Sequence, residues 1–156
     1  MCFFLVLLSK VIFASNMTID FVYNIDFKLD SENAIKSWIK AFCQHEGFTV
    51  DSLVFAFFSD EEVKQLNIKH LSHNYYTDVI SFDDSNEANL KGNIAISIDR
   101  VRENSKNLNL QFDEELRRVM IHGVLHFMGY KDKTKEQIVN IRSKEDHALS
   151  MFHVKQ

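Results

Sequence analysis

The sequence contains no proline, only four glycines and only two cysteines among 156 residues. The scarcity of proline and glycine excludes a linker-rich or disordered chain, because such chains are enriched in these residues. Cys2 and Cys43 are too few for a disulfide framework or a Cys-x-x-Cys metal cluster, and they favour a reducing compartment, so we expect a cytoplasmic protein. With 46% hydrophobic residues, the chain has material for one sizeable core and no obvious material for a second.

Basic residues are outnumbered by acidic ones, 18 Lys and Arg against 22 Asp and Glu. The formal net charge of -4 argues against a protein that binds duplex nucleic acid electrostatically, because such proteins neutralise several phosphates with clustered Lys and Arg. Any contact with RNA must then use a local patch. The candidate RNA contacts flank a histidine motif described below: Arg117, Arg118, Lys131, Lys133 and, with less emphasis, Lys135. A solvated helix end is the alternative interpretation for each of them.

The first 16 residues form an apolar stretch that superficially resembles the core of a signal peptide. No positive residue precedes the stretch, Lys10 interrupts it, and it is too short to span a bilayer. Met17 opens a segment of alternating polarity. We therefore interpret residues 1–16 as an upstream extension or mis-assigned start and residues 17–156 as one domain without a membrane partner; an export signal is the alternative.

The apolar pattern after residue 16 predicts elements in the order β, α, β, α, β, β, α, α. The second strand is a continuous apolar run at residues 53–58, which indicates a central strand covered on both faces. The other elements are a strand from Met17, a helix from Asp30 or Ser31 to Gly47, a helix capped by Ser59 and Glu62, strands at 77–82 and 92–98, a helix from Asp113 to Gly129, and a last helix capped by Thr134 and Gln137.

Two histidines four positions apart lie near the end of the seventh predicted element. His122 and His126 share one face of that helix, so both imidazoles can point to the same place. Gly129 can take the left-handed conformation that ends a helix and lets the chain fold back. Asp132 then becomes a plausible third metal ligand, and the spacing H-x-x-x-H-x-x-G-x-x-D is a zincin-like layout with Asp in the final position.

These three residues predict a zinc site of the catalytic type. Three protein ligands leave a fourth position for a water, whose pKa zinc lowers to about 7. We therefore expect one Zn²⁺ per chain and a nucleophilic water positioned by His122, His126 and Asp132. No general base is assigned, because Gly123 stands where metalloproteases place a Glu. Since glycine inside a helix costs about 1 kcal/mol, we expect another backbone or the substrate to approach Gly123 closely.

The motif and several blocks before it resemble the YbeY family of single-strand-specific endoribonucleases. The segment HGVLHFMGYKD is similar to the family signature H-G-x-L-H-x-x-G-Y followed by a third ligand. Similar blocks occur in the same order at residues 66–67, 77–82, 92–94 and 118–122, so the resemblance covers roughly residues 17–152. It implies a mixed α+β fold with helices packed on a sheet of about four strands and a bound zinc ion.

The resemblance also implies a function. A family member cleaves single-stranded RNA, matures the 3′ end of 16S ribosomal RNA at the small ribosomal subunit, and takes part in ribosome quality control. Three positions depart from the family pattern: Asp132 stands where most members have His, Leu71 where an Arg often follows the Leu-Asn pair, and Asn93 where Asp is usual. Leu71 leaves phosphate stabilisation to an unidentified Lys or Arg.

Two alternatives from other classes stay open: a zinc metallopeptidase with a displaced general base, and a non-enzymatic ribosome assembly factor with a structural metal. A second polar cluster of His70, His73 and Asp78 is a weaker candidate site, because its spacing matches no metal template. His147 and His153 are interpreted as surface residues of the last helix. Tyr76 and Tyr130 are candidates for stacking on bases, with a half-buried tyrosine as the alternative for each.

Overall fold

The computed structural model describes residues 17–154, so the expectation for residues 1–16 lies outside the described part of the chain. Four strands and five helices follow one another within it. The strands are β1 Thr18–Tyr23, β2 Thr49–Phe58, β3 Val79–Asp83 and β4 Asn89–Ser97. The helices are α1 Glu32–His45, α2 Asp60–Leu71, α3 Ile98–Leu108, α4 Phe112–Phe127 and α5 Lys135–Val154.

The four strands form one mixed sheet in the order β1-β2-β4-β3. β2 pairs in parallel with β1 on one side and β4 on the other, while β3 pairs antiparallel with β4 at the edge. The apolar run at residues 53–58 therefore lies in a central strand, as predicted. The predictions of a mixed α+β fold and a sheet of four strands are confirmed.

Alternation along the strands sends apolar side chains to two separate layers. Phe55 and Phe57 of β2 belong to the main core, which also contains buried residues of α1, α4 and α5. Ala95 of β4 points to the other face, where it packs with Ile80 and with Val63 of α2. Since strand residues alternate between faces, one sheet supports both layers. The helix that carries the histidine motif, α4, lies on the main-core side.

Helix α5 is held against α1 by a buried hydrogen bond. Trp38 Nε1 donates to the carbonyl oxygen of Ala148 at 2.7 Å, and the Trp38 ring meets Phe152 edge-on at 5.4 Å between centroids. All three residues are at least nine-tenths buried. A buried bond of this kind contributes about 1 kcal/mol and fixes the position of α5 beside the rest of the core.

Both predicted capping boxes are present. The Ser59 side chain accepts from Glu62 N while the Glu62 side chain accepts from Ser59 N, at the start of α2. At the start of α5, Gln137 N donates to Thr134 Oγ1 at 3.2 Å, and Thr134 N donates to Gln137 Oε1 at 3.1 Å. These reciprocal bonds satisfy amide groups that a helix start leaves unpaired.

Helix α3 is absent from the predicted element order, and that part of the prediction is wrong. The helix follows β4 without a loop and buries only Ile98, Val101 and Ser105. Its apolar residues recur at helical spacing but are few, and the first of them, Ile98, directly continues the apolar run of β4, which hides the start of the helix. The signal that was present is Ser97, whose side chain accepts from Arg100 N as an N-cap. No helix within residues 17–154 combines the length and apolar character that crossing a bilayer requires.

Candidate metal site and cleft

Helix α4 presents its two histidines to one point. The Nε2 atoms of His122 and His126 lie 2.9 Å apart, and the two rings meet nearly at right angles. Both side chains are partly exposed, whereas Leu116, Met120 and Val124 are buried in the core. The helical repeat thus gives α4 one face that packs in the core and another face that carries the imidazoles of His122 and His126.

The turn after α4 brings the third predicted ligand to the same point. Gly129 has φ +92°, and Tyr130 N donates back to the Leu125 carbonyl at 3.1 Å, so the chain reverses direction. Asp132 Oδ2 then lies 3.3 Å from His122 Nε2 and 3.5 Å from His126 Nε2. The structure therefore gathers the three residues that the sequence motif predicted.

The donor set and its surroundings fit a divalent transition metal. One ligand atom from each of His122, His126 and Asp132 lies within 4.8 Å of the others. The Nδ1 atoms of both histidines already have partners, Glu145 Oε1 at 2.7 Å and the Tyr130 carbonyl at 3.0 Å. Because Nδ1–H donates to these oxygens, each Nε2 keeps its lone pair for an ion.

Glu145 of α5 is a site residue that the sequence analysis missed. It is 3% exposed, and its second oxygen accepts from Arg118 at 3.1 Å and from Arg142 at 3.2 Å. Burial raises the pKa of Glu145, but the hydrogen bonds of His122 and Arg118 and the charges of His122 and Arg142 outweigh it, so the pKa is lowered. Burial likewise lowers the pKa of His122, yet Glu145 and Asp132 outweigh it and raise that pKa. His122 and Glu145 thus show the opposite pKa shifts expected of an ion pair.

Two of the three ligand candidates, His122 and Asp132, line a cleft of about 310 Å³ between α4, α5 and β3. Two further carboxyl groups line it, Asp78 and Glu115. Burial is the main cause of the raised pKa of both carboxyl groups. The charge of Asp78 raises the pKa of Glu115 further, whereas the charge of His122 partly lowers the pKa of Asp78. A larger cavity of about 530 Å³ at the start of β2 lacks histidine, so the chemistry belongs to the smaller cleft.

Four of the five predicted RNA contacts fall into two groups. Arg118 is 13% exposed and bonds Glu145 and Asp146, and Arg117 is half-buried with its guanidinium 4.3 Å from the Phe152 ring centroid. Both arginines are thus engaged within the fold. Lys131 and Lys133 are exposed beside Asp132. Arg142, which the sequence analysis did not single out, lines the cleft with 54% of its side chain exposed.

The weaker second cluster does not assemble. His70 meets the Phe82 ring edge-on, and His73 stacks on Tyr75. Asp78 instead accepts from Asn104 at 3.1 Å and lines the cleft. Asp78 therefore lies near the candidate metal site and does not form a cluster with His70 and His73.

The two tyrosines differ in exposure. Tyr76 is 45% exposed, with Lys64 and Arg100 against its ring, whereas Tyr130 is half-buried against the core. Tyr75, adjacent in the chain, is 55% exposed. The aromatic surface therefore lies between α2 and β3, two and three residues before Asp78 of the cleft.

The close approach expected at Gly123 exists, and its neighbours are side chains of the sheet. A Cβ at Gly123 would lie 2.9 Å from Ile94 Cγ2 and 3.2 Å from Ser81 Oγ. The Ser81 hydroxyl also donates to the Gly123 carbonyl at 3.1 Å. Glycine here lets α4 pack directly on β3 and β4, and a side chain as large as Glu does not fit.

Comparisons with known proteins agree on one family. Residues 21–153 match the family described as Endoribonuclease YbeY. Proteins of that name from Flavobacterium psychrophilum and Christiangramia forsetii are 44% and 42% identical over 138 residues, which is 88% of this chain and 99% and 96% of theirs. The solution structure of TM1509 from Thermotoga maritima has a TM-score of 0.62 at 23% identity, covering 88% of this chain and 91% of that one, and shows a shared fold.

Proposed function

This chain belongs to the YbeY family of endoribonucleases, and we propose that it is a zinc-dependent endoribonuclease that cleaves single-stranded RNA. The observation that carries the proposal is the convergence of His122, His126 and Asp132 at one point, with His122 and Asp132 also lining a cleft. Matches over most of the chain support RNA hydrolysis as the reaction class. Cleavage at the 3′ end of 16S ribosomal RNA, on the small ribosomal subunit in the cytoplasm, and a part in ribosome quality control are proposed from the family resemblance.

The chain's own residues prepare the site for phosphodiester hydrolysis. The chemistry that a bound zinc ion supplies is polarisation of a phosphoryl oxygen and acidification of water. His122 and His126 would hold the ion through Nε2, because Glu145 and the Tyr130 carbonyl engage their Nδ1 atoms. Three ligands from the chain leave a coordination position for substrate or water, which is the arrangement of catalytic zinc sites.

Arg142 takes the role of the cation that neutralises charge on the phosphate. The family resemblance left this role without a residue, because Leu71 stands where an arginine is common. The Arg142 guanidinium lines the cleft, and Glu145 Oε2 lies 3.2 Å from its Nη1. Since most of the side chain is exposed, its remaining donors are free to reach a phosphate, and a guanidinium suits that geometry.

A single strand is the substrate form that the surface near the cleft favours. Tyr75 and Tyr76 are partly exposed, and stacking contributes about 1–3 kcal/mol per base without sequence preference. A base would stack on the Tyr75 face opposite His73, or displace Lys64 or Arg100 from the Tyr76 ring. A duplex hides base faces and is bound mainly through phosphates. Because the chain has a net charge of -4, we expect it to bind RNA through local stacking on bases more than through phosphate contacts along a duplex.

The test is cleavage of a labelled RNA by the full chain, free or annealed to its complement, with and without a chelator. We expect chelator-sensitive cleavage of the free strand, lost in His126→Ala and kept in the control His70→Ala, whose exposed histidine lies outside the cleft. Cleavage of casein with none of RNA would instead support the peptidase. Zinc-bound protein that binds small subunits after Asp132→Ala and cleaves nothing would support the assembly factor.

A further inference from the structure

A second group of metal-ligating side chains lies where the end of α1 meets α5. It consists of His45, Glu46 and His147, and one ligand atom from each lies within 4.8 Å of the others. It shares no residue with the candidate catalytic site. The two imidazole rings lie 4.8 Å apart between centroids, and His45 Nδ1 lies 3.4 Å from Glu46 Oε1.

We propose that His45, Glu46 and His147 form a second divalent transition-metal site, which clamps the end of α1 to α5. Two imidazoles and one carboxylate are a donor set that suits Zn²⁺. Tetrahedral coordination with bonds of about 2.0–2.2 Å requires donor atoms somewhat closer than 4.8 Å. Both histidines are exposed, so rotation of their side chains closes that gap without moving the core.

The carboxylate of the group is already oriented. Glu46 is 8% exposed at its side chain, and Lys144 Nζ donates to its Oε2 at 2.7 Å. That contact leaves Oε1, the oxygen facing His45, available to an ion. Lys144 and His147 lie three positions apart on α5 and therefore share one helix face, so the residue that orients the carboxylate stands beside the third ligand.

The scaffold beneath the group is rigid. His147 contacts the ring of the fully buried Phe42 at 6.4 Å between centroids. The next residue along α5, Ala148, accepts the buried hydrogen bond of Trp38. These contacts fix the α1 and α5 backbones at the position where the ligands meet, so an ion binds to a largely formed site rather than ordering one. Binding to the folded state alone then stabilises the protein.

The test is zinc stoichiometry of the untagged full chain, measured by equilibrium dialysis and elemental analysis. We expect two ions per chain in the wild type and loss of one in either His45→Ala or His147→Ala. The exposed His73→Ala is the matched control and should retain both. A His147→Ala variant that binds as many ions as the wild type would overturn the proposal, whether the wild type binds two ions or one.

The melting temperature provides a second readout that does not depend on RNA cleavage. In the wild type it should continue to rise as zinc exceeds one equivalent, and in His147→Ala the rise should stop there. An unchanged rise in the variant contradicts the site. Neither zinc stoichiometry nor melting temperature involves RNA. A negative result in these two measurements therefore does not contradict the proposed nuclease activity, and absence of RNA cleavage does not contradict this second metal site.

Discussion

Glu145 Oε1 lies 2.7 Å from Nδ1 of His122 across the interface between α5 and α4. This contact fixes the imidazole with Nε2 toward Asp132 and His126. A buried carboxylate in that position also makes the imidazole a stronger donor to a metal. The candidate metal site thus depends on a helix that supplies none of its ligands.

Replacing Glu145 with Gln is expected to weaken zinc binding at His122, His126 and Asp132 by roughly 10- to 100-fold, the usual cost of losing such an orienting partner. The measurement is competition with a chromophoric chelator in a His147→Ala background, so that the second group does not contribute. The control is Asp146→Asn, a neighbouring carboxylate that bonds Arg118 and is 61% exposed. Equal affinities for Glu145→Gln and the control would disprove the role of Glu145.

Replacing Arg142 with Met is expected to slow RNA cleavage about tenfold or more, because a hydrogen bond to a charged group contributes about 1.5–3 kcal/mol. Zinc content should not change, since Arg142 supplies no ligand atom. The matched control is Arg102→Met, an arginine of similar exposure on α3. Cleavage is followed on labelled single-stranded RNA, and equal rates in the two variants would rule out Arg142 as the phosphate contact.

Replacing Gly123 with Ala is expected to destabilise the fold by about 1 kcal/mol. Overpacking against Ile94 and Ser81 costs about 1–3 kcal/mol, and the better helix propensity of Ala returns about 1 kcal/mol. Urea unfolding measures the change. Ser143→Ala on the exposed side of α5 is the control for helix propensity and should be neutral or slightly stabilising. A more stable Gly123→Ala would show that the contact with the sheet is not tight.

Replacing Glu46 with Gln is expected to destabilise the protein at neutral pH by about 1 kcal/mol, the contribution of a partly buried charge-assisted bond to Lys144. Burial raises the pKa of Glu46, but Lys144 and His45 outweigh it and lower the pKa below that of the unfolded chain. The stabilisation is therefore present above the unfolded pKa and is lost as the pH falls through the folded one.

Urea unfolding of wild type and Glu46→Gln between neutral and acidic pH, with chelator present, checks this dependence. The two curves should converge as the carboxylate becomes protonated. Lys144→Met should reproduce the loss at neutral pH. A difference between wild type and Glu46→Gln that stays constant with pH would show that the charge of Glu46 is not its source.

Local spacing explains which parts of the site were predictable. The pair His122 and His126 follows from the helical repeat, and Asp132 follows from the turn at Gly129, so all three are encoded within 11 consecutive residues. Glu145 lies 23 residues from His122, and its role arises only when α5 packs on α4. Nothing in the sequence indicates that this acidic residue of a polar helix will be buried.

The same distinction applies to the fold and to the second group. The capping boxes at Ser59 and Thr134 use residues three apart and were found, whereas the start of helix α3 was hidden because Ile98 continues the apolar run of β4. His45 and His147 lie 102 positions apart, with three of the four strands between them in the sequence. Interpreting His147 as a surface residue was consistent with its exposure, yet it gave no indication of the neighbours that α1 brings to it.

The position of Glu145 on α5 also orders events during protein synthesis. A ribosome adds His122, His126 and Asp132 before it adds Glu145, and the most recently added residues are still inside the exit tunnel when earlier ones emerge. Glu145 therefore reaches His122 only after all three ligands have been made and α5 has packed on α4. For a nuclease whose proposed substrate is ribosomal RNA, this order delays assembly of the site until α5 has left the ribosome that is making it.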